Sequence, residues 1–227
     1  RPDPDWAPAW RSASEAIAVV LDRELGGDAL TEPRVARLVS ALTPPEGGLV
    51  VAASMPVRDL DSFGLPRAHV TANRGASGID GTVSTAAGFA RGLEAPTALL
   101  IGDLALLHDL NGLALLREGP PVIVVVVNND GGGIFHFLPV APGGSGSPLE
   151  ADIFEPFFGT PHGLGFEHAA RQFGLAYYAP ETAPAFTSAF QRAMASGAIS
   201  ASKASRASRA SLKAASSPST SERGSAS

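Results

Sequence analysis

The stretch Pro121-Val122-Ile123-Val124-Val125-Val126-Val127-Asn128-Asn129-Asp130-Gly131 decides the fold class of this 227-residue chain. Val122 to Val127 are without exception apolar and β-branched, in a run of strand length. A strand apolar on both faces belongs in a parallel sheet covered by helices on each side. Pro120-Pro121 precedes the run and an Asn-Asn-Asp-Gly turn closes it, so both ends carry residues that strands disfavour.

Working outward, Thr97–Ile101 reads as a second strand that ends in Gly102-Asp103, and Leu106–Arg117 as the helix joining the two. Gly48–Ala53, His69–Ala72 and Ala176–Tyr178 are further short strands. Helical patterns occupy Pro56–Phe63, Thr82–Arg91, Glu167–Phe173 and Pro184–Met194. Strands alternating with helices give an α/β fold, an open, mostly parallel sheet with helices on both faces. Residues 1–8 read as a linker. Ser12–Leu25 has Ile17, Val20, Leu21 and Leu25 at helical spacing, which predicts a core-facing stripe. Thr31 and Pro33 start another helix that buries Val35, Leu38, Val39 and Leu42 before Pro44-Pro45 stop it.

Residues 140–150 read as a loop rich in Pro, Gly and Ser. From Ser196 the composition turns to Ser, Ala, Lys and Arg, with Ser202, Ser205, Ser208 and Ser211 three apart. That period fits neither a helix face nor a strand, so 196–227 is expected to be a disordered or aberrant tail. The organisation expected is therefore 1–47 as the end of a preceding domain plus linker, 48–195 as the ligand-binding domain, and 196–227 as tail. The chain starts at Arg1 without Met and reads as a piece of a longer protein.

Composition removes several function classes. The formal charge of −5 argues against nucleic acid as a partner. The sequence has Cys 0, which rules out disulfides and thiolate metal sites and fits a cytoplasmic location. No apolar run approaches the length of a membrane span.

Gly102-Asp103 and Asn128-Asn129-Asp130-Gly131-Gly132 each close an apolar strand, so in a parallel sheet they share one edge. Ligands of open α/β sheets sit at that carboxyl edge. A carboxylate, an amide oxygen and a backbone carbonyl are hard oxygen donors suited to Mg²⁺, which completes its shell with phosphate and water. The helix expected after Asp103 adds backbone N–H groups for an anion, and Gly131–Gly133 leave room for a ligand beside the backbone. Taken singly, Gly102-Asp103 is also a common helix cap and Asn128–Gly133 a common turn. Asp80 reads as a cap before Thr82. His108, His136 and His162 show no metal-binding spacing and no partner base, and are assigned no role.

This pairing resembles the signature of thiamine-diphosphate enzymes. The neighbouring runs Asn73-Arg74-Gly75-Ala76-Ser77-Gly78-Ile79-Asp80-Gly81, Ser84-Thr85-Ala86-Ala87-Gly88, His108-Asp109-Leu110-Asn111 and Phe154-Glu155-Pro156-Phe157-Phe158-Gly159-Thr160-Pro161-His162 narrow it. Over roughly residues 48–195 the chain resembles the 2-succinyl-5-enolpyruvyl-6-hydroxy-3-cyclohexene-1-carboxylate synthase family (MenD) of menaquinone biosynthesis. The resemblance implies a transferase with thiamine diphosphate and Mg²⁺ as cofactors, Mn²⁺ being the alternative ion. It further implies that the enzyme decarboxylates 2-oxoglutarate and adds the succinyl-semialdehyde carbanion to isochorismate.

On the same resemblance, Asp103, Asn129 and the Gly131 carbonyl hold the ion. Gly102, Leu104, Ile79, Ile134 and Phe135 contact the cofactor, with Ile79 as the wedge that bends it and Leu138 adding to the apolar wall. Ser54, Arg58 and Arg74 face the substrates, whose carboxylates suit guanidinium forks. The full-length enzyme is expected to be a homodimer or homotetramer. The Glu that activates the cofactor belongs to a separate domain in this family, so no catalytic residue is assigned here. A different thiamine-diphosphate enzyme, such as a 2-oxo-acid decarboxylase or acetolactate synthase, would share Asp103 and Asn129, and a non-catalytic remnant is the third alternative. A dinucleotide-binding module is disfavoured, because Gly78-Ile79-Asp80-Gly81 lacks the Gly spacing that such sites need. The polypeptide alone is expected to bind cofactor weakly and to release no carbon dioxide from 2-oxoglutarate, and a carbon dioxide assay on the purified chain checks this.

Overall fold

The computed structural model of the chain describes residues 5–65, 67–73, 78–143 and 149–203. Arg74 and the rest of the 74–77 run, the centre of the 140–150 loop and the tail beyond Lys203 lie outside the described residues. Six strands form one sheet: β1 (Gly48–Val51), β2 (His69–Ala72), β3 (Thr97–Gly102), β4 (Val122–Asn128), β5 (Ala176–Tyr178) and β6 (Ala198–Lys203). Their spatial order is β2-β1-β3-β4-β6-β5, and every neighbouring pair is parallel. The helices are α1 (Trp6–Glu24), α2 (Glu32–Leu42), α3 (Met55–Phe63), α4 (Thr82–Leu93), α5 (Asp103–His108), α6 (Ala151–Phe154), α7 (Glu167–Gln172) and α8 (Ala183–Met194). No helix among the described residues is long and apolar enough to cross a membrane.

The all-apolar strands follow from a core on each face. Successive side chains in a strand point to opposite sides. Ile123, Val125 and Val127 pack with Leu49, Val51, Val35, Val39, Phe186 and Phe190 on the face covered by α2, α3 and α8. Val122, Val124 and Val126 pack with Val50, Leu99, Ile101, Val83, Leu106 and Phe166 on the other. Neither face of β4 reaches water, so a polar residue at any of these positions would be stranded.

Three expectations change. The connection from β3 to β4 is not one helix: α5 stops at His108 and Leu110–Arg117 continues as a 3-10 segment. At the break, the Asp109 carboxylate accepts the Val83 N–H at 2.7 Å and so caps α4 from a neighbouring segment. Asp80 does not take that role; Gly81 occupies the cap position with φ +65°, and Asp80 instead meets His108 Nδ1 at 3.0 Å. The α1 stripe is not core, since none of its residues is buried and Ile17 and Val20 are exposed.

Segments on both sides of 48–195 also join the sheet and its core. Helix α2, upstream of residue 48, contributes Val35 and Val39 to the core at full burial. Downstream, the Ser/Ala-rich stretch supplies β6, which pairs along β4 from Ile123↔Ala198 to Asn128↔Lys203 and with β5 on its other side. Small residues suffice there because Ser200 and Ala201 sit in an interior strand whose neighbours fill both layers, and composition alone had hidden it. A chain ending at Gly197 would expose the whole edge of β4 and leave β5 without a partner. It is expected to lose cooperative melting in far-ultraviolet circular dichroism and to aggregate; an unchanged melt would contradict this account of β6.

Candidate functional site

Strand register builds the site. Gly102 lies opposite Val127, so β3 and β4 run out together and deliver Asp103 and Asn128-Asn129 to one edge. Gly102, the residue before α5, is extended, and Asp103 starts the helix with 3% exposure. Its carboxylate is held on three sides: Oδ1 accepts the Leu104 N–H at 2.8 Å, and Oδ2 accepts the Gly131 N–H at 2.9 Å. The third contact is His162 Nε2, 3.2 Å from Oδ2. Because His162 Nδ1 accepts the Leu164 N–H at 2.9 Å, the ring proton sits on Nε2 and points at Asp103. His162, left without a role in the sequence reading, is therefore an orienting partner of the central carboxylate. Its signal lay in the fold, not in spacing, because 59 residues separate the two.

The three residues after the end of β4's apolar run divide their work. Asn128 Nδ2 donates to the Leu164 carbonyl at 3.0 Å, and Asn128 Oδ1 accepts the Asp130 N–H at 3.2 Å. Asp130 Oδ1 accepts the N–H groups of His162 and Gly163 at 3.0 and 2.7 Å. Both side chains thus tie down the 162–164 segment. Asn129 does neither. Its Nδ2 donates to Glu32 Oε1 at 3.0 Å, and its Oδ1 is buried with no hydrogen-bond partner among the described residues.

A cavity of about 280 Å³ opens here. Ser54, Ile79, Gly102, Asp103, Leu104, Asn129, Gly131, Ile134 and Phe135 all line it, so the sequence candidates converge apart from three. Arg74 lies outside the described residues. Arg58 is exposed on α3 and donates to the Ser54 carbonyl at 2.7 Å rather than lining the cavity. Ser54 itself has φ +74°, an uncommon conformation for a serine. Leu138 is 44% exposed and does not join the wall.

Electrostatically the lining is acidic among the described residues: Glu32, Asp59 and Asp103 contribute carboxyl groups, and no described Lys or Arg lines the cavity. An acidic hollow containing an unpaired amide oxygen suits a hard cation and would repel a bare phosphate. Among the described residues no three His, Cys, Asp or Glu side chains gather as a metal cage. The available donors are instead the carboxyl groups of Asp103, Glu32 and Asp59, the Asn129 amide oxygen and backbone carbonyls.

The glycines also make room for a neighbouring segment of the chain. A Cβ on Gly131 would stand 2.0 Å from the Gly159 carbonyl oxygen, and one on Gly132 would stand 2.1 Å from that of Phe158. Gly132 N–H donates to the Gly159 carbonyl at 2.7 Å. The close neighbour of both glycines is thus the Glu155–Gly159 π-helical turn. Phe158 reinforces the contact, with Phe135 edge-on at 5.5 Å and Phe154 stacked at 5.7 Å. His136, also left without a role, packs edge-on to Phe154 at 4.9 Å and approaches Glu155 at 3.6 Å.

No family model matches the chain. Over 200 residues it is 60% identical to the 2-succinyl-5-enolpyruvyl-6-hydroxy-3-cyclohexene-1-carboxylate synthase of Rubrobacter xylanophilus, covering 86% of this chain and 33% of that protein. It is 51% identical over 196 residues to the synthase of the same name from Salinibacter ruber, covering 85% and 32%. Over most of its own length the chain is thus similar to one part of these synthases. It spans about a third of the length of these relatives.

Among solved structures, benzoylformate decarboxylase from Polynucleobacter necessarius matches with a TM-score of 0.56 and 20% identity, over 76% of this chain and 32% of that one. A protein from Mycobacterium smegmatis described as thiamin diphosphate-dependent matches with the same TM-score at 19% identity, over 78% and 32%. These two share the fold.

The Gly131 contact gives a direct test of the site's construction. Gly131→Ala combines φ +129° with a clash against backbone. It is expected to destabilise the chain by about 1–3 kcal/mol, the usual range for forced shifts in a packed region. Urea denaturation followed by circular dichroism measures the difference.

Proposed function

We propose that the chain is the diphosphate- and cation-binding portion of a thiamine-diphosphate-dependent synthase of menaquinone biosynthesis. The full enzyme, in this reading, is a cytoplasmic homodimer or homotetramer. Its substrates are 2-oxoglutarate, which it decarboxylates, and isochorismate, to which it joins the remaining four-carbon unit. The single observation that carries the cofactor reading is the buried, unpartnered Asn129 Oδ1 in an acidic cavity beside Asp103. A buried amide oxygen without a donor is costly unless a ligand completes it.

Asp103, Asn129 and the Gly131 carbonyl would hold Mg²⁺ or Mn²⁺, and the ion would in turn offset the charge of a diphosphate. Thiamine diphosphate, when bound, supplies the electron sink that a 2-oxo acid needs to lose carbon dioxide. The chain's own residues bind, orient and exclude water. Ile79, Ile134 and Phe135 give the cavity an apolar wall, which strengthens every charge interaction inside it. His162 and the Gly131 N–H fix the Asp103 carboxylate before any ion arrives, so ligation costs little reorganisation. Arg58 and Ser54, at the open side near α3, and Arg74 would meet the substrate carboxylates.

Calorimetric titration with thiamine diphosphate and Mg²⁺ tests the reading. Asp103→Ala should weaken Mg²⁺-dependent binding by about 100-fold or more, since losing even an outer partner of a metal ligand costs about 10- to 100-fold. Equal binding to wild type and variant would remove the proposed cation site.

A further inference from the structure

We propose that Glu32, at the first turn of α2, is a positioning residue for Asn129 and sets the cation affinity of the site. The inference deepens the functional reading above and rests on it. Glu32 is 6% exposed and lines the same cavity as Asn129, although 97 residues separate them in the chain. Its Oε1 accepts the Asn129 Nδ2–H at 3.0 Å. A carboxylate has no N–H to give, so only the NH₂ end of the amide can face it. The oxygen must then face the other way. This settles the amide's orientation by chemistry, independent of how the two ends of an Asn are told apart in coordinates.

Two consequences follow for the oxygen. It is left buried without a donor among the described residues, and it cannot escape by turning the amide over, because that would set oxygen against carboxylate. The hydrogen bond from Nδ2 to an acidic acceptor also polarises the amide and raises the electron density on Oδ1. Both effects favour a hard cation.

The base from which Glu32 acts is rigid. Thr31 Oγ1 caps α2 by accepting the Arg34 N–H at 3.3 Å, Pro33 occupies the first turn, and Val35 and Val39 are fully buried in the core. Glu32 is thus placed by packing, on an element that precedes the first strand of the sheet.

The alternative is that Glu32 binds the cation directly. The conservative variant separates the two: Glu32→Gln keeps an oxygen that can accept from Nδ2, whereas Glu32→Ala does not. The measurement is Mn²⁺ affinity by electron paramagnetic resonance at fixed thiamine diphosphate, with melting temperatures of both variants followed by circular dichroism. Glu32→Ala is expected to weaken Mn²⁺ binding by about 10- to 100-fold, and Glu32→Gln by no more than about threefold. Unchanged affinity in Glu32→Ala, or equal losses in both variants, overturns the proposal.

A second readout needs neither variant nor cation. In the wild-type chain, the side-chain amide protons of Asn129 should appear by NMR as a pair with one resonance shifted downfield and protected from exchange. A freely exchanging, averaged pair overturns the positioning role even if Glu32→Ala fails to fold. If the wild type binds no Mn²⁺ while the Asn129 amide is protected, the functional reading fails and the orientation by Glu32 stands.

Discussion

The hydrogen bond from the Gly131 N–H to the buried Asp103 carboxylate joins the two strand tips from which the site is made. Parallel strands are bonded along their length, but beyond their ends nothing in the ladder keeps the emerging chains together. Here the tip of β3 supplies the acceptor and the turn after β4 supplies the donor. Beside that bond, the Gly132 N–H donates to the Gly159 carbonyl of the Glu155–Gly159 turn, and His162 Nε2 meets the same Asp103 oxygen. The carboxylate is thus both the knot of the edge and the anion best placed to meet a cation. Removing it would loosen three segments at once.

The centre of the sheet was legible because β1, β3 and β4 are buried on both faces. Val122–Val127 and Thr97–Ile101 had no alternation to misread, and their flanking turn residues marked both ends. Asp103 and Asn129 followed, since a parallel register needs only strand ends to bring them together, whereas Ile79, Ile134 and Phe135 came from the family resemblance. What escaped the sequence reading depends on contacts between distant segments. Glu32 and His162 lie 97 residues from Asn129 and 59 from Asp103, and each looks ordinary in its own surroundings. β6 escaped for the opposite reason: an interior strand mostly of Ala and Ser has little bulk to announce it, and its partners provide the hydrophobicity.

The Asn-Asn-Asp triplet shows how finely one turn can be divided. Asn128 and Asp130 both bind backbone of the 162–164 segment, while Asn129 between them is turned toward Glu32 and the cavity. Two residues secure the frame and leave the third available for ligand. Similar side chains at adjacent positions are therefore not interchangeable: loss of Asn128 would act through the fold and loss of Asn129 through the cavity.

Trp6 and Trp10 stand together on α1, with ring centroids 6.0 Å apart and more than half of each exposed. They are the two tryptophans of the sequence, while the largest buried aromatics are Phe154, Phe166, Phe186 and Phe190. Indole emission from this chain therefore reports on an exposed helix, not on the sheet or its ligand edge. A fluorescence trace could stay flat through loss of the core, or shift when α1 alone acquires a neighbour. The optical probe of the chain and its stability sit in different places.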